Sequence, residues 1–148
     1  MKKALTHLKL NQANARKLRQ LDELAVEHQR VAQAYCDWLI ARNVREPDKY
    51  ADIPEADVPT VLSDRWQRCA WQQACGIVQS WYSNERVNPP VLKSLCLQGN
   101  ANVVKLEPSE TDTFDFWLKI STLDKGHPVE VPLTLYRRAA ATLKKYPR

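Results

Sequence analysis

The strongest constraint on the fold is a run of helical periodicity across residues 12–43. Apolar and aromatic side chains recur there at three- and four-residue steps, while the opposite face is charged. The apolar positions are Leu18, Leu21, Leu24, Ala25, Val31, Ala32, Tyr35, Trp38 and Leu39. The pattern predicts an amphipathic helix of about 30 residues, or about 45 Å, with Asn11 as its N-cap. So long a helix needs a partner helix to cover its apolar face.

Residues 63–85 are the predicted partner helix. Ser63 is its expected N-cap, and Asp64 suits the positive end of the helix dipole. An apolar stripe contains Trp66, Ala70, Ala74, Ile77, Val78 and Trp81, and a polar stripe contains Arg65, Arg68, Gln72 and Gln79. Residues 44–62 hold three of the nine prolines and many acids. Because proline blocks helix and ladder pairing, we predict an extended, exposed loop there.

The pattern of apolar residues changes over residues 91–133, where short apolar runs alternate with turn residues about every ten positions. This spacing is typical of a small antiparallel sheet or barrel. Alternation in residues 2–10 predicts a further strand, and residues 134–146 suit a short last helix. The expected fold is therefore α+β: a wedge-like β domain from residues 1–10 and 88–148, with an inserted lobe of two long antiparallel helices at 11–87.

Net charge is +5, and its distribution is uneven. Residues 1–20 carry six basic and no acidic residues, residues 125–148 carry six basic and one acidic residue, and the middle of the chain is acidic. If the fold brings both ends together, they form a positive surface suited to a phosphate backbone. The alternative is that the basic ends only aid solubility.

Signatures of catalysis are missing from the sequence. Three glycines are too few for a Gly-rich phosphate loop, and neither GxSxG nor HExxH occurs. The four cysteines form no CxxC pair, so we expect no metal, no cofactor and mostly packed, reduced thiols. Asp112 and Asp115 are the nearest approach to an acid pair, and Asp115 is expected to make a local hydrogen bond or face solvent. No stretch suits a signal peptide or a membrane span, so we expect a cytoplasmic protein that does not bind membranes.

The sequence features that do indicate a function point to nucleic-acid binding. Arg65, Arg68 and Gln72 lie three and four residues apart, so a helix points all three the same way. Arginine binds phosphate or guanine and glutamine pairs with adenine, and Trp71 adjoins the stripe, where it is available to stack on a base. The alternative is an ordinary solvated helix face.

Three stretches resemble the N-terminal part of TnpB-type proteins, the transposon-encoded relatives of type V CRISPR effectors. The first is a basic strand leading into a long helix that ends in QAYCDWLIAR. The second is LSDRWQRCAWQQACGIVQSWYSN, which resembles a second recognition helix. The third is NANVVKLEPSETDTFDFWLKISTLDKGHPVEVPL, which is similar to the wedge-domain sequence of that family.

The resemblance implies a wedge β-barrel interrupted by a helical recognition lobe. It also implies a guide RNA and double-stranded target DNA as partners, with base pairing reading most of the sequence. Residues implied to face DNA or the heteroduplex are Arg65, Arg68, Trp71 and Gln72. Residues implied to face RNA phosphates are Lys2, Lys3, Lys9, Arg137 and Arg138.

The departure from the family concerns catalysis. Family members continue into a RuvC nuclease domain and a zinc ribbon, and neither the acid triad nor the CxxC pairs occur in these 148 residues. We therefore assign no catalytic residue, and a separate nuclease subunit would be a further partner. Two alternatives stay open: a small enzyme of another type, and an interaction protein that dimerises through its helices. The dimer face would contain Leu21, Leu24, Val31 and Trp38.

Overall fold

A computed structural model describes residues 9–135 and residue 141. Its elements are α1 (Ala15–Ala41), α2 (Asp64–Ser83), β1 (Val104–Pro108), β2 (Phe116–Ile120) and β3 (Val129–Leu133). The α+β class and the lobe of two helices are confirmed. The predicted strand at 2–10 and the predicted last helix lie almost wholly outside the described residues. Closure of a barrel, which depends on that strand, stays a prediction.

Side-chain caps set the start of both helices. The Oγ atom of Ser63 accepts a hydrogen bond from the Trp66 amide, as predicted. For α1 the expected cap was wrong: Asn14, and not Asn11, accepts from the amide of Lys17 at 2.9 Å. Asn11 lies in a turn that closes between Leu10 and Ala13, so the helix begins three residues later than predicted, at Ala15.

Both helices end in a Schellman motif. At the end of α1, Asn43 takes a left-handed conformation with φ of 54°, and the Val44 amide bonds back to the Leu39 carbonyl. At the end of α2, Glu85 takes the left-handed position with φ of 49°, and the Arg86 amide bonds back to the Trp81 carbonyl. These reversals turn the chain sharply away from each helix axis.

The two helices run in the same direction, so the predicted antiparallel arrangement was wrong. His28 meets the ring of Trp66 at 5.7 Å between centroids. Eight residues further along each helix, the Cys36 thiol lies 4.0 Å from the Ala74 carbonyl. Neighbouring helices are antiparallel when the loop between them is short, but the 22 residues from 42 to 63 allow a full return. At about 3.3 Å per residue they reach about 70 Å, against about 40 Å for α1.

The returning segment follows α1 backwards. The Trp38 indole donates to Asp57 Oδ2 at 2.7 Å near the end of α1, and Arg30 donates to the Pro59 carbonyl at 2.9 Å halfway along it. The expectation that residues 44–62 are exposed was therefore wrong in part. Leu62 is buried, because this segment fills the space that a third helix would occupy in a bundle.

The three strands form one antiparallel sheet in the order β1-β2-β3, as an open sheet rather than a closed barrel within the described residues. Val104, Ile120 and Val129 lie opposite one another across the sheet. This inner face packs on the helices, and Val103 and Ile120 join the main core. Residues 91–98, predicted as a strand-like run, form no strand.

Trp66 joins the helices to the sheet. Its side chain is completely buried between α1 and α2, as predicted, and its Nε1 donates to the carbonyl of Ser121, directly after β2, at 2.9 Å. Gly99 lies against the far edge of the indole, where an added Cβ would come within 3.1 Å of the ring and 2.9 Å of Val104. Trp81, also predicted in the core, is only half-buried.

Three thiols pack as small apolar groups, which confirms the prediction for Cys36, Cys69 and Cys75. Burial raises the pKa of Cys36 to about 12 and that of Cys75 to about 11. These thiols therefore stay protonated and are poor nucleophiles. Cys96 is exposed.

The dimer face considered above is not available. Leu24 and Val31 have no exposed surface, because both pack within the core that α1 shares with α2. A second copy of the chain cannot reach them without separating the two helices.

His28 is an unpaired polar group in this core. Its side chain is completely buried, and neither ring nitrogen has a hydrogen-bond partner among the described residues. Burial lowers the pKa of the imidazole from 6.5 to about 4. The folded protein therefore holds the ring neutral in a pH range where the unfolded chain protonates it.

We predict that the free energy of unfolding falls by about 1.4 kcal/mol per pH unit, from His28 alone, as pH drops from about 6.5 towards 4. Above 6.5 the ring is neutral in both states and contributes no pH dependence. Replacement His28→Leu should flatten this slope, measured by urea unfolding at pH 7 and pH 5. The matched control is Gln79→Leu, which adds a leucine at an exposed position of α2 without changing an ionisable group and should leave the slope unchanged. An identical slope in the His28→Leu protein would contradict the prediction.

Candidate nucleic-acid interface

The predicted stripe on α2 is divided by the segment that returns along the helices. Arg68 is partly buried, and its Nη1 atom donates to the carbonyls of Ala51 at 2.6 Å and Lys49 at 3.3 Å. The guanidinium thus binds the loop to α2. It is satisfied by the protein itself, so its first role is structural.

Trp71 does not offer a stacking surface, and the expectation that it contacts a base was wrong. Its side chain is only 3% exposed, and its Nε1 donates to the Asp48 carbonyl at 3.0 Å. The ring packs edge-on against Tyr35 and Trp38. The helical spacing placed Trp71 next to the polar stripe, but the returning loop covers that position.

Arg65 is exposed and makes one long hydrogen bond, 3.4 Å, to the carbonyl of Asn102. It lines a hollow of about 260 Å³ together with Arg68 and the acidic residues Glu55 and Asp64. The carboxylates offset the arginines, so this hollow is a weak binding site for a polyanion.

Gln72 lies apart from both arginines, in a groove with a volume of about 950 Å³. One wall is a face of α2 and the other is the segment that follows it. The lining residues are Lys49, Gln72, Gln73, Gly76, Ile77, Ser80, Trp81, Arg86, Val87, Asn88, Pro89, Pro90, Val91 and Gln98.

The α2 wall follows from four-residue spacing. Gln72, Gly76 and Ser80 succeed one another along one side of the helix. At Gly76 an added Cβ would meet no atom within 4 Å, so the floor of the groove is open at the middle of its length. Glycine costs about 0.5–1 kcal/mol relative to alanine inside a helix, and nothing in the packing around Gly76 requires it.

The opposite wall is held in place by hydrogen bonds to both helices. After the Schellman turn, the Asn88 carbonyl accepts from the Trp81 indole at 2.8 Å. The Pro90 carbonyl then accepts from the Gln33 side chain of α1 at 3.1 Å, and the Leu92 amide donates back to the same side chain at 2.8 Å. The two prolines and these bonds make this a rigid wall.

The groove is electrostatically one-sided. Lys49 and Arg86 line it and no carboxylate does, although the described residues include all 17 acidic side chains of the chain. Amide groups of Gln72, Gln73 and Gln98 supply further donors and acceptors. The Oε1 atom of Gln73 is buried without a hydrogen-bond donor in the described structure.

The structure describes only one of the residues that were expected at RNA phosphates. Lys2, Lys3, Arg137 and Arg138 lie outside the described residues, and Lys9 is exposed at their border. Only 15 of the 22 basic residues lie within residues 9–135, so this part of the chain is slightly acidic. The proposed meeting of two basic ends stays a prediction.

Sequence reasoning missed most of the groove, including Lys49, Gly76, Trp81 and Arg86. One signal was present: continuing the stripe from Arg68 by four-residue steps leads through Gln72 to Gly76 and Ser80. The contributions of Lys49 and Arg86 had no local signal, because loops bring both to the helix.

Three further observations concern metal binding, the Asp115 carboxylate and membrane spanning. Within the described ranges, no group of three His, Cys, Asp or Glu side chains is arranged to hold a metal ion. The Asp115 carboxylate accepts a hydrogen bond from the Leu135 amide at 2.9 Å, a partner 20 residues further along the chain, and not the local bond that was expected. No helix in this part of the chain has the length and apolarity to cross a membrane.

Comparison with protein-family models, curated proteins and solved structures finds no match. The likeness to TnpB-type proteins therefore depends on the three sequence stretches described above.

We predict that Arg68→Met lowers the free energy of unfolding by about 1–2 kcal/mol, because two loop carbonyls lose a charged donor. Amide hydrogen exchange in residues 48–52 should accelerate in the same protein. The matched control is Arg65→Met, whose single bond is long and exposed, and which should change stability by less than about 0.5 kcal/mol. Equal effects of the two replacements would show that Arg68 does not hold the loop.

Proposed function

We propose that this protein binds nucleic acid, using the groove between α2 and residues 86–98. The observation that carries the proposal is the groove's composition: two cations, several amides and an aromatic ring, with no lining carboxylate. A polyanion gains attraction from Lys49 and Arg86 and meets no opposing charge inside the groove.

The aromatic and amide groups favour nucleic acid over other polyanions. Trp81 lines the groove with its indole nitrogen already bonded to Asn88, so its ring is held in one orientation. Aromatic rings stack on bases of any sequence, and amide side chains bond to base edges. Simple polyphosphates have no ring to stack on Trp81 and no base edge to bond to the amides.

A finer proposal follows from the sequence resemblance. The chain is the nucleic-acid-binding part of a TnpB-type RNA-guided DNA endonuclease, which contacts guide RNA and target DNA without supplying the catalytic acids. Its support is the order of the three similar stretches and the α+β arrangement of two helices and an antiparallel sheet. Nuclease activity would then require catalytic acids from outside these 148 residues.

We expect tight binding to a structured RNA, falling steeply between about 50 and 200 mM salt as counterions are released. Fluorescence anisotropy with this RNA and with a mixed-sequence DNA duplex measures both affinities. In Lys49→Gln with Arg86→Gln, the salt slope should fall by about two, because each lost phosphate contact removes about one.

The matched control for charge is the double replacement Lys105→Gln with Lys125→Gln, which removes two exposed lysines outside the groove. It should leave affinity and slope nearly unchanged. An equal loss in the control would mean that net charge, and not the groove, drives binding. Absence of binding to the structured RNA, to the duplex and to an unstructured single-stranded RNA at 50 mM salt would refute the proposed function.

A further inference from the structure

The groove is concave, and this shape bears on which form of nucleic acid it accepts. A protein reads a duplex by inserting a protruding helix or ribbon into the major groove. Here the relevant face of α2 is recessed between Lys49 and the wall that contains Pro89 and Pro90. In a double helix the bases are paired and stacked inside, so they cannot stack on Trp81, whereas the bases of a single strand lying in the recess can.

The lining groups are ordered along the groove as a strand would need them. Gln72 and Trp81 are nine helical residues apart, about 14 Å along the axis. Lys49 lies towards the Gln72 end, since the neighbouring Asp48 carbonyl contacts Cys75 and Trp71. Arg86 follows the helix at the Trp81 end. The two cations thus flank a less charged middle, in which Gly76 leaves the floor open.

The middle of the groove suits a base rather than a phosphate. Between the two cations the lining includes the amide of Gln73, the open position at Gly76 and the ring of Trp81. Amide side chains bond to base edges and aromatic rings stack on bases, whereas neither group carries a charge that would attract a phosphate.

Resting on the proposed function, we infer that the groove is a single-strand site. An unpaired base lies over Gly76 between Gln73 and Trp81, and the flanking phosphates lie at Lys49 and Arg86. Gly76 is thus a specificity-determining residue: the absence of a side chain creates the space for the base. This explains a helical glycine that no packing contact requires.

The test fills the space at Gly76. Replacement Gly76→Leu should weaken binding of an unstructured 12-nucleotide RNA about tenfold or more, because a stacked base is displaced. Folding should survive, since an added Cβ meets no atom and leucine favours helix. Gly76→Ala should raise Tm by about 3–5 °C and weaken binding less. If Gly76→Leu proves unfolded by circular dichroism, Gly76→Gln replaces it.

The matched control is Gln79→Leu, which adds a leucine to an exposed position of α2 outside the groove and should leave RNA affinity unchanged. Loss of single-strand binding by Gly76→Leu, with binding retained in Gln79→Leu, supports the inference. Unchanged single-strand binding in Gly76→Leu overturns it but leaves the proposed function standing. Equal competition by inorganic polyphosphate also overturns it, since no base is then read. Absence of binding to any nucleic acid refutes both.

Discussion

The burial of Trp66 is the interaction on which the rest of the structure depends. The indole lies between α1 and α2, and its hydrogen bond to Ser121 fixes the end of β2 against the helices. Burying an aromatic ring of this size stabilises a fold by several kcal/mol. Gly99 lets the chain pass against the ring, and from there the segment leads into β1. The helices and the sheet thereby share one core, and the groove has a rigid base.

The parallel direction of the helices determines where binding groups can be. Because α2 starts beside the middle of α1, residues 42–63 must return along both helices. Their carbonyls accept hydrogen bonds from Arg68 and Trp71, and this covers the first half of the polar stripe. The second half stays open because the Schellman turn at Glu85 directs the chain to one side. The groove is therefore a consequence of how α2 begins and ends.

The core also contains an uncompensated group. His28 lies against Trp66 without a hydrogen-bond partner among the described residues, and its neutral form is favoured by burial. Acidification therefore acts on the contact that joins the helices to the sheet. The groove has no comparable weakness, because its walls are bonded by neutral amide and carbonyl groups such as Gln33 and Pro90.

Local patterns predicted the α+β class, both helices, the Ser63 cap and the segments that form β1, β2 and β3, since periodicity and capping are local properties, although the similar run at 91–98 forms no strand. The sequence by itself also pointed to the Gln72 side of α2. Only the tertiary structure decided the direction of the helices, the burial of Trp71 and the structural use of Arg68. These depend on the path of a 22-residue loop, which local spacing does not encode. Lys49 and Arg86 come from separate segments, and only packing places them in one groove with Gly76.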